Sequence, residues 1–181
     1  MKTRDRILKI ALNRTQQTGF RGFSFRDLAD EIGVKSAAIH YHFPTKAELG
    51  KELAKRYYES DIAYLQAAND RPPKERVDHF LELFSKTLDD GLFCLFASAA
   101  SDRDVVPAEM NEYAKTFFGD ASKWLEKAFR DADPNGMNGK AGLGDEFVAL
   151  VYGAFLMAHN NADPELFQKL TTSYRASNLP V

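Results

Sequence analysis

The stretch GVKSAAIHYHFPTKAEL, which runs from Gly33 to Leu49, decides how this chain folds. It opens on a glycine, continues through small residues, two histidines and a tyrosine, and breaks at Phe43-Pro44. Proline disfavours helical geometry in the residue before it, so the pattern predicts a short helix over about 35–41. Metal binding, catalysis, core packing and contact with a partner are all open roles for the histidines.

The residues before this stretch predict an amphipathic helix. Ser24 is a good N-cap, and Asp27 three residues later favours the exposed amides of a helix start. Gly33 ends the helix, because glycine takes positive φ readily. Apolar residues recur at helical spacing on one face, which is expected to be buried: Phe25, Leu28, Ala29 and Ile32.

Two short helices around a tight turn need a small residue at their crossing, a glycine in the turn and an apolar residue to fill the contact. Ala29, Gly33 and Ile39 meet these three needs. This is the spacing of a helix-turn-helix, although many helical hairpins share parts of it. The second helix would expose side chains and a backbone suited to contacting base edges or phosphates: Lys35, Ser36, Ala37, His40 and Tyr41.

The residues after Pro44 predict an anion site. Thr45 and Glu48 have the spacing of a capping box for a long fourth helix. The first amides of that helix, the Thr45 hydroxyl and the charge of Lys46 together suit a phosphate group.

Charge is distributed unevenly along the chain. Residues 1–56 hold 12 Lys/Arg and 6 Asp/Glu, whereas residues 57–181 hold 12 and 20. A basic first third on an acidic remainder indicates an anionic partner for the N-terminal part alone, unless it is only uneven surface charge.

The whole chain reads as all-α, since no segment has the alternation or turn signals of a β-hairpin. We expect a helix-turn-helix domain over residues 1–50, joined by a long helix to a larger helical domain over residues 51–181. The predicted helices are 3–18, 24–32, 35–41, 45–68, a fifth that follows a break at 69–75 and carries Val77 to Leu88, then 92–101, 107–131, 143–160 and 164–174.

The composition favours a cytoplasmic protein. No run of about 18 uncharged apolar residues suits a membrane span, and the charged start lacks the apolar core of a signal peptide. Cys94 is the single cysteine, so no internal disulfide can form.

A metal site and an enzyme active site have little support. His40 and His42 are two residues apart, which puts them on different sides of a helix, whereas helical metal pairs lie three or four apart. The Gly-Lys pair within residues 134–142 lacks the first glycine and the final Ser/Thr of a phosphate-binding loop, so we interpret the segment as a turn. We expect no catalytic residues, no cofactor and no metal.

Cys94 lies in GLFCLFASAAS between apolar residues, where a buried small side chain is the ordinary interpretation and an oxidant- or electrophile-sensing thiol is the alternative. The chain also has 14 phenylalanines, and most of them are expected in the core. Some would line a ligand pocket, for which we select Phe84, Cys94, Phe96, Phe117, Phe118 and Phe155.

At residues 4–52 the chain resembles the TetR/AcrR family of transcriptional regulators. The resemblance rests on residues in the register of that family's helix-turn-helix: Phe25, Leu28, Ala29, Gly33, Val34, Ile39, Tyr41, His42, Phe43, Thr45, Lys46 and Leu49. Lys35 stands where the family commonly has Ser, and His40 where it commonly has Tyr, and these differences concern base preference.

The resemblance implies a homodimeric repressor that binds a palindromic site in double-stranded DNA and is released by a small-molecule effector. By residue match, Lys35, Ser36, Ala37 and His40 would face the bases, and Tyr41, His42, Thr45 and Lys46 would hold phosphate. The apolar pattern predicts that residues 143–160 and 164–174 form the dimer contact, because FVALVYGAFLMA is too apolar around its circumference for a helix that faces water, and a fully internal core helix is the alternative. Two other interpretations remain open: a thiol-sensing repressor of the same fold, and a helical module that binds a protein partner.

Overall fold

The computed structural model describes residues 2–134 and 142–178, and this part of the chain is helical and contains no β-strand. In chain order the helices are α1 (Thr3–Thr18), α2 (Phe25–Ile32), α3 (Ser36–His42), α4 (Lys46–Gln66), α5 (Pro73–Asp89), α6 (Leu95–Ser101), α7 (Ala108–Ala132), α8 (Leu143–Asn160) and α9 (Pro164–Asn178). The all-α prediction is confirmed. The Gly-Lys pair at 139–140 lies outside the described residues.

Most helix ends fall within two residues of the predicted ones. The larger differences are at α5, which begins at Pro73 within the break predicted over 69–75, at α6, which begins at Leu95 and not at 92, and at α9, which extends to Asn178 and not to 174. Residues 92–94 lie outside any helix, Cys94 has an extended backbone, and the Phe93 N–H donates to the Gln16 carbonyl oxygen of α1 at 2.9 Å. This bond joins residues far apart in the chain, so local spacing gives no sign of it.

The chain divides into two compact units, of which the first comprises Met1–Glu59 and Leu92–Lys115. The largest fully buried side chains of its helical core come from α1, α2, α3, α4 and α6: Ile7, Leu28, Ile39, Leu49, Leu95 and Phe96. The α6 segment and the start of α7 therefore belong to the same compact body as the first three helices.

The second unit comprises Ser60–Gly91 and Thr116–Val181. Its core is built on phenylalanine, with Phe80, Phe147 and Phe155 at 0% exposure. Phe84 is a hub of this core, since its ring lies 5.2 Å from that of Phe80 and 5.6 Å from that of Phe155.

Ion pairs tie helices of the second unit together. The buried Arg76 guanidinium of α5 donates to the Asp131 carboxylate of α7 and holds the pKa of that carboxyl below its usual range. Arg175 of α9 donates to Asp78 of α5 at 2.6 Å. Each helix within residues 2–134 and 142–178 is too short or too polar for a transmembrane span.

Candidate nucleic-acid interface

The turn between α2 and α3 has the geometry that the sequence predicts. Gly33 takes the left-handed conformation (φ 76°, ψ 39°), and its N–H donates to the Ala29 carbonyl at 2.9 Å. The Val34 N–H donates to the same carbonyl, also at 2.9 Å. These bonds satisfy the carbonyl end of α2 and turn the chain sharply into α3.

The crossing of the two helices is filled by apolar side chains. Ile39 is the one buried residue of α3 and has 0% exposure. On α2, Leu28 is 0% exposed and Ala29 is 1% exposed. A seven-residue helix is too short to be stable alone, so this buried contact holds α3 in place.

The outer face of α3 is open to solvent. Lys35, Ser36, Ala37, His40 and Tyr41 are exposed, whereas His42 is half-buried. Tyr41 is 83% exposed and is one of three large apolar or aromatic residues that the described part of the chain leaves exposed. The five residues that the sequence predicts to be exposed are therefore exposed, and their role in binding stays a prediction.

His40 is oriented by its neighbours. Its ring meets the Phe25 ring edge to face at 4.9 Å, and its Nδ1 lies 3.4 Å from the Pro44 carbonyl oxygen. In the tautomer that carries the proton on Nδ1, this nitrogen faces the carbonyl and Nε2 is left as an acceptor.

The start of α4 has the predicted capping box. The Glu48 N–H donates to the Thr45 hydroxyl at 3.2 Å, and the Thr45 N–H donates to the Glu48 carboxylate at 3.1 Å. The Thr45 hydroxyl, which the sequence assigned to phosphate binding, thus already donates to the Glu48 carboxylate at 3.4 Å.

The Lys46 ammonium, expected to be free for phosphate, is held by contacts within the protein. Its ammonium donates to the Phe23 carbonyl oxygen and lies over the rings of Phe20 and Phe23, at 4.9 and 4.3 Å from their centroids. Burial lowers the pKa of Lys46, and nearby Asp27 partly opposes this. The bond brings the start of α4 beside the start of α2.

Several N-terminal cations are already paired, and others are not. Arg4 and Arg56 pair with Glu52, and Arg14 pairs with Glu31. Within the described residues, Lys35 and the exposed Arg26 form no ion pair. Arg26 was not selected from the sequence; its place in the first turn of α2, two residues after the N-cap Ser24, was the available signal.

The residues selected for a ligand pocket fall into two groups. Cys94 and Phe96 belong to the first unit, where the Tyr57 ring lies 5.1 Å from that of Phe96 and the Tyr57 hydroxyl 3.9 Å from the Cys94 sulfur. Phe84, Phe117, Phe118 and Phe155 belong to the second unit.

Tyr152, which was not selected from the sequence, contacts two of the selected residues in the second unit. Its half-buried ring contacts Phe84 at 5.1 Å and Phe118 at 4.8 Å. The described residues contain no group of three His, Cys, Asp or Glu side chains that would hold a metal ion.

Three features define the class of protein as a helix-turn-helix DNA-binding protein. They are the buried crossing of α2 and α3, the exposed outer face of α3 and the excess of basic residues over 1–56. Comparison with known proteins then gives the family that the N-terminal segment matches. Residues 7–53 match the model of bacterial regulatory proteins of the tetR family.

Two solved structures resemble the whole chain. A TetR transcriptional regulator from Legionella pneumophila is 26% identical, with a TM-score of 0.85 and coverage of 98% of both chains. A TetR-family regulator from Agrobacterium tumefaciens is also 26% identical, with a TM-score of 0.88 and coverage of 97% of both.

Among curated proteins, the probable HTH-type transcriptional regulator YttP of Bacillus subtilis is 34% identical over 68 residues, which are 38% of this chain and 33% of the relative. The match thus spans about a third of that relative's length. Residues 7–53 thus match the DNA-binding segment of the tetR family, and over its length the chain resembles TetR-family transcriptional regulators.

Proposed function

We propose that this protein binds duplex DNA as a homodimer, represses transcription in the cytoplasm and leaves the DNA when a small molecule binds its C-terminal helical domain. The observation that carries the proposal is the outer face of α3, where Lys35, Ser36, Ala37, His40 and Tyr41 are exposed while Ile39 anchors the helix. A regulator of this kind needs no catalytic residues and no cofactor.

In the proposed complex, α3 lies in the major groove. Lys35, Ser36, Ala37 and His40 face base edges, and Ala37 lets the helix backbone approach closely. With Nδ1 directed at Pro44, Nε2 of His40 would accept from the amino group of adenine or cytosine.

Phosphate contacts surround this face in the proposal. Tyr41, His42 and Thr45 supply polar groups, and Lys46 supplies charge at the start of α4. Arg26 joins them, because it is exposed, lacks an ion pair among the described residues and sits at the start of α2. Lys46 would have to exchange its bond to the Phe23 carbonyl for a phosphate oxygen.

The effector part of the proposal is supported by the phenylalanine-rich second unit. Phe84, Phe118, Tyr152 and Phe155 form ring contacts there, and aromatic side chains commonly line small-molecule sites. The thiol-sensing alternative has weaker support, since Cys94 is only 5% exposed and buried thiols react slowly.

The test is DNA binding to a duplex selected from a random pool and to an unselected duplex, each at several salt concentrations. His40→Ala should cost about 1–3 kcal/mol on the selected duplex and less on the other, because base contacts specify sequence. Lys46→Ala should weaken both duplexes alike and reduce the slope of log affinity against log salt by about one.

Lys55→Ala is the matched control for Lys46→Ala, because it removes the same charge from the same helix where Lys55 already pairs with Glu59 at 3.7 Å. It should leave both affinities nearly unchanged. Equal losses for His40→Ala on selected and unselected DNA would show that the division between base and phosphate contacts is wrong.

A further inference from the structure

The exposed histidine of α3 is held from two sides. The His40 ring meets the Phe25 ring of α2 edge to face, with 4.9 Å between the ring centroids and 71° between the ring planes. Its Nδ1 lies 3.4 Å from the Pro44 carbonyl oxygen in the turn before α4. A side chain that faces solvent is thus restrained by a residue before α3 and by a residue after it.

Phe25 is fixed independently of this contact. It occupies the first position of α2 and is only 9% exposed, so the core of the first unit holds its ring in place. Edge-to-face contacts between aromatic rings are favourable and directional. A fixed ring therefore limits the orientations of His40, and a side chain that is ordered before binding loses less conformational entropy in the complex.

The contact with Pro44 determines which ring nitrogen of His40 carries the proton. A backbone carbonyl oxygen only accepts hydrogen bonds, so Nδ1 is the donor when the two atoms are paired. In the neutral ring Nε2 is then an acceptor. Within residues 2–134 and 142–178, the contacts with Phe25 and Pro44 are the ring and hydrogen-bond contacts of His40, which leaves Nε2 available to DNA.

An acceptor at Nε2 distinguishes bases in the major groove. The edges of adenine and cytosine present amino groups that donate, whereas guanine N7 and O6 and thymine O4 only accept. The other neutral tautomer, with the proton on Nε2, would favour guanine or thymine. The contacts that set the tautomer of His40 therefore also set which bases it accepts.

We propose that Phe25 is a specificity-determining residue that acts by positioning His40. Its ring, together with the Pro44 carbonyl, keeps Nε2 of His40 as an acceptor, and the protein selects adenine or cytosine at the contacted position. The inference rests on the proposed function, in which α3 lies in the major groove, and it assigns part of the sequence preference to a core residue outside α3.

The first measurement uses the free protein and does not depend on DNA binding. The nitrogen chemical shifts of histidine distinguish its two neutral tautomers, and His40→Ala identifies the His40 signals. At about pH 8, where histidine is ordinarily neutral, the wild type should carry the proton on Nδ1. Phe25→Leu, which keeps an apolar side chain and removes the ring, should show both tautomers. A proton on Nε2 in the wild type overturns the proposal.

The second measurement compares duplexes that differ only at the position where His40→Ala loses base preference. The wild type should prefer adenine or cytosine there by roughly tenfold over guanine or thymine. Phe25→Leu should reduce this ratio to about threefold or less and keep its affinity for unselected DNA within about twofold. Phe25→Tyr, which retains an aromatic ring, should keep the preference of the wild type.

Ile32→Val is the matched control, because it trims a side chain of α2 that is 5% exposed and has no ring to contact His40. It should keep the full base preference, and thermal melting without DNA ranks the stability of all variants. Loss of preference in Ile32→Val would show a general loosening of α2 and overturn the proposal. An unchanged preference in Phe25→Leu would also overturn it.

The two measurements separate this inference from the proposed function. If the tautomer of His40 depends on Phe25 and no duplex binds, the positioning is supported and the proposed DNA binding fails. If duplexes bind with a preference for guanine or thymine, or with none that depends on His40, the proposed DNA binding stands and this inference fails.

Discussion

Gly144 allows α8 to approach α7 at backbone distance. A Cβ atom at this position would lie 2.1 Å from the Ser122 carbonyl oxygen and 3.1 Å from the Glu126 backbone nitrogen. The Gly144 N–H also donates to the Glu126 carboxylate at 2.9 Å. Because the neighbouring atoms belong to the backbone of another helix, no side-chain rotation can make room.

We expect Gly144→Ala to lower the free energy of unfolding by about 3 kcal/mol, the upper end of the usual cost of overpacking. For a chain of this size the melting temperature should fall by roughly 6–12 °C, measured by calorimetry at one protein concentration. Gly119→Ala on α7 is the control, since nothing lies within 4 Å of its added Cβ. A similar drop in both variants would contradict the close-approach argument.

Helix α2 depends on its N-cap because it has only eight residues. The Asp27 N–H donates to the Ser24 hydroxyl at 3.3 Å, and the Asp27 carboxylate accepts from the Ser24 N–H at 2.7 Å. We expect Ser24→Ala to reduce the free energy of unfolding by about 1 kcal/mol, whereas Ser24→Thr, which keeps a hydroxyl, should cost much less. Chemical denaturation measures both, and equal losses would argue against capping.

The contribution of this cap should also depend on pH. Hydrogen bonds from the Ser24 side chain, then from its backbone, hold the pKa of Asp27 below its usual value of 3.8. The added stability is therefore present above that usual value and is lost as the pH falls through the lower, folded-state pKa. The difference between wild type and Ser24→Ala should shrink on acidification below about pH 4.

Local chemistry explains why the elements around the candidate site could be predicted. Ser24, Gly33 and Pro44 each act on the backbone within a few residues, so the ends of α2 and α3 follow from the sequence. Lys46 could not be placed in the same way, because its ammonium bonds to the Phe23 carbonyl, 23 residues away in the chain.

At the scale of the whole molecule, α8 carries an apolar strip that faces solvent. Leu156 and Met157 are 53% and 52% exposed, and Ala149 and Gly153 are exposed on the same helix face. No atom lies within 4 Å of a Cβ added at Gly153, so the strip is open to close approach by a second copy. Small residues beside apolar ones favour packing between helices.

We expect the protein to be dimeric at micromolar concentration and Leu156→Glu to shift it towards the monomer, because a charge would be buried at the contact. Light scattering or sedimentation gives the mass. Gln66→Glu, which adds the same charge at an exposed position on α4, should stay dimeric. A wild-type monomer would remove the dimer from the proposed function, and the strip on α8 would then need another explanation.

The close contact at Gly50 has a consequence for protein engineering. A Cβ there would lie 2.8 Å from both Phe20 Cζ and Met110 Sδ and 3.0 Å from Pro107 Cγ, and residues 92–115 share one compact unit with the DNA-reading helices. The compact unit that contains the helix-turn-helix is therefore built from two separate segments of the chain. A chimera that swaps only residues 1–50 for those of another regulator would join a foreign surface to Pro107 and Met110, so the graft should include residues 92–115.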